Sequence, residues 1–340
     1  VSGTGDRVAA LLEDVEAGPD ELAAVVEAQW AALGELPPEV LARPAWRLIG
    51  MGSSRFAALD AAARRRAAGR DAHAELASAT GASPGGGDTL AIVISASGQT
   101  PEVLAAARRH RGSSFVLAIT AHRDTPLART ADAVLPLTAV HRERAGIATM
   151  TYRATVAALA ALAEPGGEGA PTGAGVSLRA APAALRRLLD GRSAWAAAAA
   201  DVLAGGREVH VLGDGSRAGA AEQAALLLRE APRIPAAAFD TGDWLHVGLY
   251  TLFPGDPVLL LAGSPSDPAA VRTIRDRGGR VIAVGPAVPG ADVQVPLPPL
   301  ALADPLVRAL VESAVTDVIA AELWGRASAT LLGEGRLPGP

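Results

Sequence analysis

Cysteine, lysine and asparagine are all missing from the 340 residues of this chain. Without cysteine there is no disulfide, no thiolate nucleophile and no cysteine zinc site. Without lysine every cation is an arginine or a histidine. Schiff-base catalysis, attachment of pyridoxal phosphate and a lysine-bearing phosphate loop are therefore excluded. A basic surplus is missing too. The net charge is −5, so nothing offsets the phosphates of a duplex, and no nucleic-acid partner is expected. No run reaches the ~20 apolar residues of a membrane span. The start, Val1–Asp14, lacks the basic-then-apolar order of a signal peptide. A cytoplasmic protein with no membrane partner is the expectation.

What is present is apolar side chain, 49 % of the residues, enough to bury a sizeable core. Short apolar runs predict strands at Trp46–Met51, Leu90–Ser95, Phe115–Thr120 and Ala133–Leu137, then at Glu208–Leu212, Val258–Ala262, Val281–Gly285 and Val293–Leu297. Helical periods fall between them, at Ser54–Ala68, Pro101–His110, Met150–Ala163, Ala218–Glu230, Ala269–Arg277 and Leu306–Trp324. Val- and Ile-rich strands alternating with helices indicate a parallel sheet covered on both faces.

Glu164–Ser177 is dominated by Gly, Pro and small residues and reads as a linker. Its two sides share landmarks in the same order. Gly50-Met-Gly-Ser53 answers Gly213-Asp-Gly-Ser216, and the strands Phe115–Thr120 and Val281–Gly285 follow similar Arg-x-Arg-Gly turns. The segments Ala131–Leu137 and Ala291–Leu297 match as well. This order points to an internal duplication. The expectation is an α/β chain of two similar doubly wound, flavodoxin-like lobes. A helical segment covers residues 1–40, lobe one 41–163, the linker 164–180, lobe two 181–325 and a tail 326–340.

The strand Leu90–Ser95 runs into Ser95-Ala96-Ser97-Gly98-Gln99-Thr100, and a helix starts at Pro101. Three hydroxyls, a glycine that permits close approach and the free N–H groups of a helix start suit an oxyanion. The place, beyond the carboxyl end of a parallel strand, is where open α/β sheets bind ligands. A serine-rich turn is equally what an ordinary capped helix start looks like. The turn Gly50–Ser54 adds Ser53 and Ser54 beside it. The matching turn of lobe two, Ala262-Gly-Ser-Pro-Ser-Asp267, carries an acid and is expected to repel phosphate. Neither glycine turn makes a convincing dinucleotide fingerprint, since neither is followed by a suitably placed ribose-binding acid.

Together these residues resemble the SIS (sugar isomerase) domain family, above all the isomerase half of glucosamine-6-phosphate synthase and the stand-alone sugar-phosphate deaminases, isomerases and deglycases. The likeness runs from about Leu12 to Trp324. Ser95–Thr100 matches the family's Ser-x-Ser-Gly-Glu/Gln-Thr phosphate loop, and Gly146-Ile-Ala148-Thr149 its sugar-facing turn. The resemblance implies that Ser53, Ser54, Ser95, Ala96, Ser97, Gln99, Thr100, Ala148 and Thr149 hold the substrate. It implies that Glu230 moves a proton between C1 and C2, and that His246, sixteen residues on, assists ring opening from a neighbouring subunit of a homodimer. No cofactor and no metal are expected.

The chain departs from the pattern at Leu245, where the family has lysine, at Gln223, where it has glutamate, and in its lysine-free tail. No cysteine can run a glutaminase reaction, so a complete glutamine-dependent synthase is not expected. The partner is a small-molecule sugar phosphate. The reading is a phosphosugar isomerase or amino-sugar-phosphate deaminase/isomerase acting on a hexose-6-phosphate-like substrate. The alternative is a sugar-phosphate binding or regulatory protein without catalysis. His73, His110 and His122 read as surface residues, His141 as part of a charged loop and His210 as core.

Overall fold

The computed structural model describes residues 4–37, 40, 42–81, 85–137, 143–163 and 173–333. By internal contacts the chain divides into two compact units. One takes the described residues of 20–141 and 150–182; the other takes those of 1–19, 142–149 and 183–340. Each is built on a five-stranded parallel sheet with helices between the strands. The first helix, α1 (Thr4–Leu33), contributes its opening turns to the second unit and its remainder to the first.

The first unit runs through β1 (Ala45–Gly50), α2 (Ser53–Ala67), β2 (Ala72–Leu76), β3 (Thr89–Ile94), α3 (Pro101–His110), β4 (Phe115–Thr120), α4 (Pro126–Thr130), β5 (Ala133–Pro136) and α5 (Met150–Ala163). Its sheet order is β2-β1-β3-β4-β5. β3 lies at the centre, and all six of its residues are buried, as an apolar run covered on both faces requires. Helix α3 buries Val103, Ala106, Ala107 and His110, a single stripe at helical spacing. His110 is thus not a surface residue, as its arginine neighbours suggested. It closes the apolar stripe, and its Nδ1 lies 3.2 Å from Ser114 Oγ.

The second unit contains α6 (Ala174–Asp190, from residue 183 on), α7 (Ala196–Leu203), β6 (Val209–Leu212), α8 (Ala218–Glu230), β7 (Ala236–Phe239), α9 (Thr241–Trp244), β8 (Pro257–Leu261), α10 (Asp267–Asp276), β9 (Arg280–Val284), β10 (Val293–Val295), α11 (Pro299–Ala303) and α12 (Pro305–Gly333). Its sheet order, β7-β6-β8-β9-β10, repeats that of the first unit strand for strand. The duplication read from the sequence landmarks is present as topology. The fold is α/β with two tandem five-stranded parallel sheets.

Two strands escape the sequence pattern. β2 and β7 are edge strands with few β-branched residues, AHAEL and AAAF, so propensity does not mark them. The linker expectation also changes. Residues 164–172 lie outside the described residues, but 174–180 open helix α6, whose buried positions Ala174, Leu178, Ala181, Leu185 and Leu188 recur at helical spacing. Helix α12 likewise continues through residues 326–333, the first half of the expected tail. Residues 142–149, which the sequence reading assigned to lobe one, cluster with the second unit. His141 lies outside the described residues. Among those described, no helix is long and apolar enough to cross a membrane.

Candidate functional site

β1 and β3 are adjacent and parallel, with Ile49 level with Val93. The sheet order reverses between them, so the turns that follow leave the same edge of the sheet at a topological switch point. After β3 the chain forms the loop Ser95–Thr100. Ser95 is buried, and its Oγ accepts the Gly98 N–H at 3.2 Å and lies 3.2 Å from Thr100 Oγ1 and 3.5 Å from Ser97 Oγ. Ser97 Oγ accepts the Gln99 N–H at 3.3 Å. The three hydroxyls therefore cluster, with Ser97 and Gln99 exposed and Ala96 and Thr100 half-buried.

Two features separate this loop from an ordinary capped helix start. Thr100 is the N-cap of α3, yet its side chain makes no capping bond; its hydroxyl turns to Ser95 instead. With Pro101 in the first turn, the N–H groups at the head of α3 stay open to an anion, aided by the positive end of the helix dipole. Gly98 has φ of +61°, and a Cβ there would lie 2.5 Å from Thr125 Cβ and 2.8 Å from Thr120 Oγ1. Only glycine fits. The loop is also pinned from below, where Leu127 N–H donates to Gly98 C=O at 3.1 Å and Thr120 Oγ1 donates to Ala96 C=O at 3.2 Å.

After β1, Gly50 passes close to the next turn, and its Cβ would meet Ser54 Cβ and Arg55 N at 3.0 Å. Gly52 takes φ of +50° and caps α2 without a side-chain bond. Ser53 and Ser54 open that helix, both half-buried. Arg55 follows, half-buried, with its Nε partnerless among the described residues. Sequence reasoning passed over Arg55. In a lysine-free chain, an arginine directly after the two serines of a glycine turn is the signal that could have found it.

The other expected site residues belong to the second unit. The turn 143–149 is tied down on all sides there. Asp14 accepts the N–H groups of Arg144 and Ala145, at 3.2 and 3.1 Å, and Arg144 Nη1 at 2.9 Å. Glu143 Oε1 accepts the Thr149 N–H at 2.6 Å. Ala145 and Ile147 pack with Leu227, Ala231 and Trp324. Gln223 of α8 donates its Nε2 to Ala148 C=O at 2.8 Å. A carboxylate at position 223 has no proton to make this bond, so the Gln223 departure has a local consequence: helix α8 grips the turn directly. Thr149 Oγ1 and Gln223 Oε1 are both buried and have no partner among the described residues.

Glu230 is the last residue of α8 and is exposed. Desolvation by the surrounding chain pushes its carboxyl above the ordinary range, against the pull of Arg229 and Arg233. Arg233 holds φ of +61° just beyond, where the chain turns back into β7. His246 follows α9 and is exposed. Its segment is anchored by Trp244, fully buried, whose Nε1 donates to His210 Nδ1 at 2.8 Å. That bond leaves the proton on His210 Nε2, and burial lowers the histidine pKa, so the ring is neutral. Asp240 caps α9 through the N–H groups of Gly242 and Asp243, at 2.8 and 3.1 Å. The histidine segment is thus anchored through Trp244 and Asp240, while His246 itself is exposed. Among the described residues no three His, Asp or Glu side chains gather as a metal site requires.

Residues 47–165 match the family model of the SIS domain. Over 222 residues the chain is 31% identical to glutamine–fructose-6-phosphate aminotransferase [isomerizing] from Aeropyrum pernix. That match covers 62% of this chain and 35% of the relative, so it spans about a third of that protein's length. Among solved structures, the C-terminal domain of glucosamine-fructose-6-phosphate aminotransferase from Francisella tularensis superposes with a TM-score of 0.78 at 15% identity. It covers 94% of this chain and 96% of its own. Tagatose-6-phosphate ketose/aldose isomerase from Escherichia coli gives a TM-score of 0.77 at 19% identity, over 95% and 93% of the two chains. Residues 47–165 thus carry the match to a SIS domain, and the fold of two tandem parallel-sheet lobes is shared with these solved structures.

Proposed function

We propose that this protein binds a hexose-6-phosphate-like sugar and moves a proton between C1 and C2, as an aldose–ketose isomerase or an amino-sugar-phosphate deaminase/isomerase. The observation that carries the binding half is the uncapped head of α3 under three clustered hydroxyls, with a glycine that admits no side chain. The phosphate is held by Ser95, Ser97 and Thr100 hydroxyls and by loop N–H groups around Ala96, with the exposed Gln99 side chain beside them. Ser53 and Ser54 add donors from the neighbouring turn, and Arg55 supplies a full positive charge. Ala148 and Thr149 meet the sugar.

Glu230 is the base. Its desolvated carboxyl is a better proton acceptor than an ordinary glutamate, which suits a shuttle between adjacent carbons. His246, contributed to a neighbouring copy in a homodimer, protonates the ring oxygen on opening. Calorimetry with fructose 6-phosphate tests binding, and proton exchange at C1 and C2 by NMR tests chemistry. Glu230→Gln keeps binding and lowers turnover by roughly 10²–10⁴-fold. An unchanged rate would remove Glu230 from the mechanism.

The second reading, a sugar-phosphate binding protein without turnover, is favoured by the absence of every lysine and by Leu245 and Gln223 where the resembling enzymes carry ionisable groups. It predicts saturable binding with no proton exchange on any ketose or aldose phosphate.

A further inference from the structure

The repeated sheet order gives the chain a second switch point, between β6 and β8. A cavity of about 200 Å³ opens there, wholly within the second unit. Its polar wall is Asp214, Ser216, Arg217 and Arg308; its apolar wall is Leu302, Pro305 and Ala309. The volume is below the ~300–1,000 Å³ of sites for drug-sized ligands and suits one sugar ring.

The polar wall is built, not incidental. The Arg217 and Arg308 side chains are only 12% and 13% exposed, and both guanidiniums donate to the same acceptor, Ala262 C=O. Two glycines make room for them. At Gly263, with φ of +129°, a Cβ would lie 2.5 Å from Arg217 Nη1; at Gly285, with φ of +110°, one would lie 2.8 Å from Arg308 Nη2. Side chains at either position would displace a guanidinium.

Charge decides the ligand class. Arg217 pairs with Asp214, and Arg308 Nε donates to Glu312 Oε2 at 2.6 Å. Asp267 fills the amide seat of the loop, accepting the N–H groups of Gly263 and Ser264 at 2.5 and 2.9 Å. Three carboxylates thus face two guanidiniums, and no net positive charge is left for a phosphate. A hydroxyl, by contrast, can donate to Asp214 and accept from an arginine N–H at once. The apolar wall offers a surface for the C–H face of a ring.

We propose that this cavity is a second ligand site that binds an uncharged polyhydroxyl compound of monosaccharide size. It works independently of the phosphate loop of the first unit.

The test uses the full chain with D-fructose and D-sorbitol, read by ligand-observed saturation-transfer NMR and calorimetry. Saturable binding at one ligand per chain is expected, with an affinity on the order of millimolar for so few heavy atoms. Leu302→Trp fills the cavity from an exposed position and so spares the fold; it should weaken binding at least tenfold, as should Arg217→Leu. Thr100→Asp, which disables the phosphate loop, should leave it unchanged. The proposal is overturned if neither polyol binds saturably, if Leu302→Trp binds like the parent, or if polyol binding disappears with Thr100→Asp. Saturable binding of inorganic phosphate to the Thr100→Asp protein that Arg217→Leu abolishes would also overturn it, by making the cavity an anion site.

Discussion

The loops Ser95–Thr100 and Ala262–Asp267 occupy the same place in two copies of one topology, and they solve the same problem in opposite ways. Each follows the central strand of its sheet, and each starts with an N–H donated to the next strand, Ser95 to Ile119 C=O and Ala262 to Val284 C=O. Each exposes backbone N–H groups at a helix start, where negative charge is stabilised. In the second unit the chain supplies that charge itself through Asp267, counted six residues from the strand end just as Thr100 is. In the first unit the same position holds a neutral threonine whose hydroxyl turns to Ser95, so no carboxylate of its own meets the loop N–H groups; neither helix start carries a side-chain cap. An internal carboxylate closes one seat; the other has none, and it is the seat we propose for the phosphate.

The sharpest way to break this contrast is to transplant the acid. Thr100→Asp places a carboxylate where the phosphate is proposed to sit. Like charges brought together at a binding surface cost several kcal/mol, so fructose 6-phosphate affinity should fall about 10³-fold in calorimetry. The same substitution caps α3 and should raise stability by about 1 kcal/mol in a denaturant melt. A variant that gains stability and keeps its affinity would show that the loop is not the phosphate seat.

A second comparison uses glycines. Gly98 and Gly215 both hold positive φ, +61° and +50°, in turns that follow strands. A Cβ at Gly98 would collide with Thr125 and Thr120, whereas at Gly215 nothing lies within 4 Å. Gly98→Ala combines backbone strain with overpacking and should cost about 2–4 kcal/mol; Gly215→Ala carries the strain alone and should cost about 1 kcal/mol. Equal costs by urea unfolding would mean that the packing beneath the loop Ser95–Thr100 is looser than the geometry indicates.

These contrasts show what the sequence makes legible. The duplication is visible because turn residues are chemically distinctive: Gly-x-Gly-Ser and Arg-x-Arg-Gly survive as patterns although the strands between them are interchangeable apolar runs. The acid at Asp267 is legible because it is the one charged side chain in its loop, and it fills the loop's amide seat. The edge strands AHAEL and AAAF are not legible, since tertiary pairing and not propensity makes them strands. His110 misleads because its neighbours in sequence are arginines while its neighbours on the helix, three, four and seven residues back, are buried. The convergence of Arg217 and Arg308 on one carbonyl could not be foreseen at all. The two lie 91 positions apart and meet only because β8 runs between them to Ala262.

The smallest effect concerns the unit with the proposed base. Glu230 must be ionised to accept a proton, and desolvation raises its pKa above the usual 4.5 while Arg229 and Arg233 lower it. Turnover should therefore rise with pH through a midpoint above that value. Arg233 sits at φ of +61°, a conformation glycine adopts freely. Arg233→Gly removes one of the two opposing cations and tolerates the backbone, so the rising limb should move to higher pH while stability changes by less than about 1 kcal/mol. The linkage has the same sign. A carboxyl raised on folding stabilises fully below its unfolded pKa, and that contribution is lost as pH rises through the folded pKa. Glu230→Gln should remove this fall from the melting profile, while the loop Ser95–Thr100, which holds no ionisable side chain, contributes no slope of its own. A pH–rate profile that is identical in the parent and Arg233→Gly would mean that the titrating base is not Glu230.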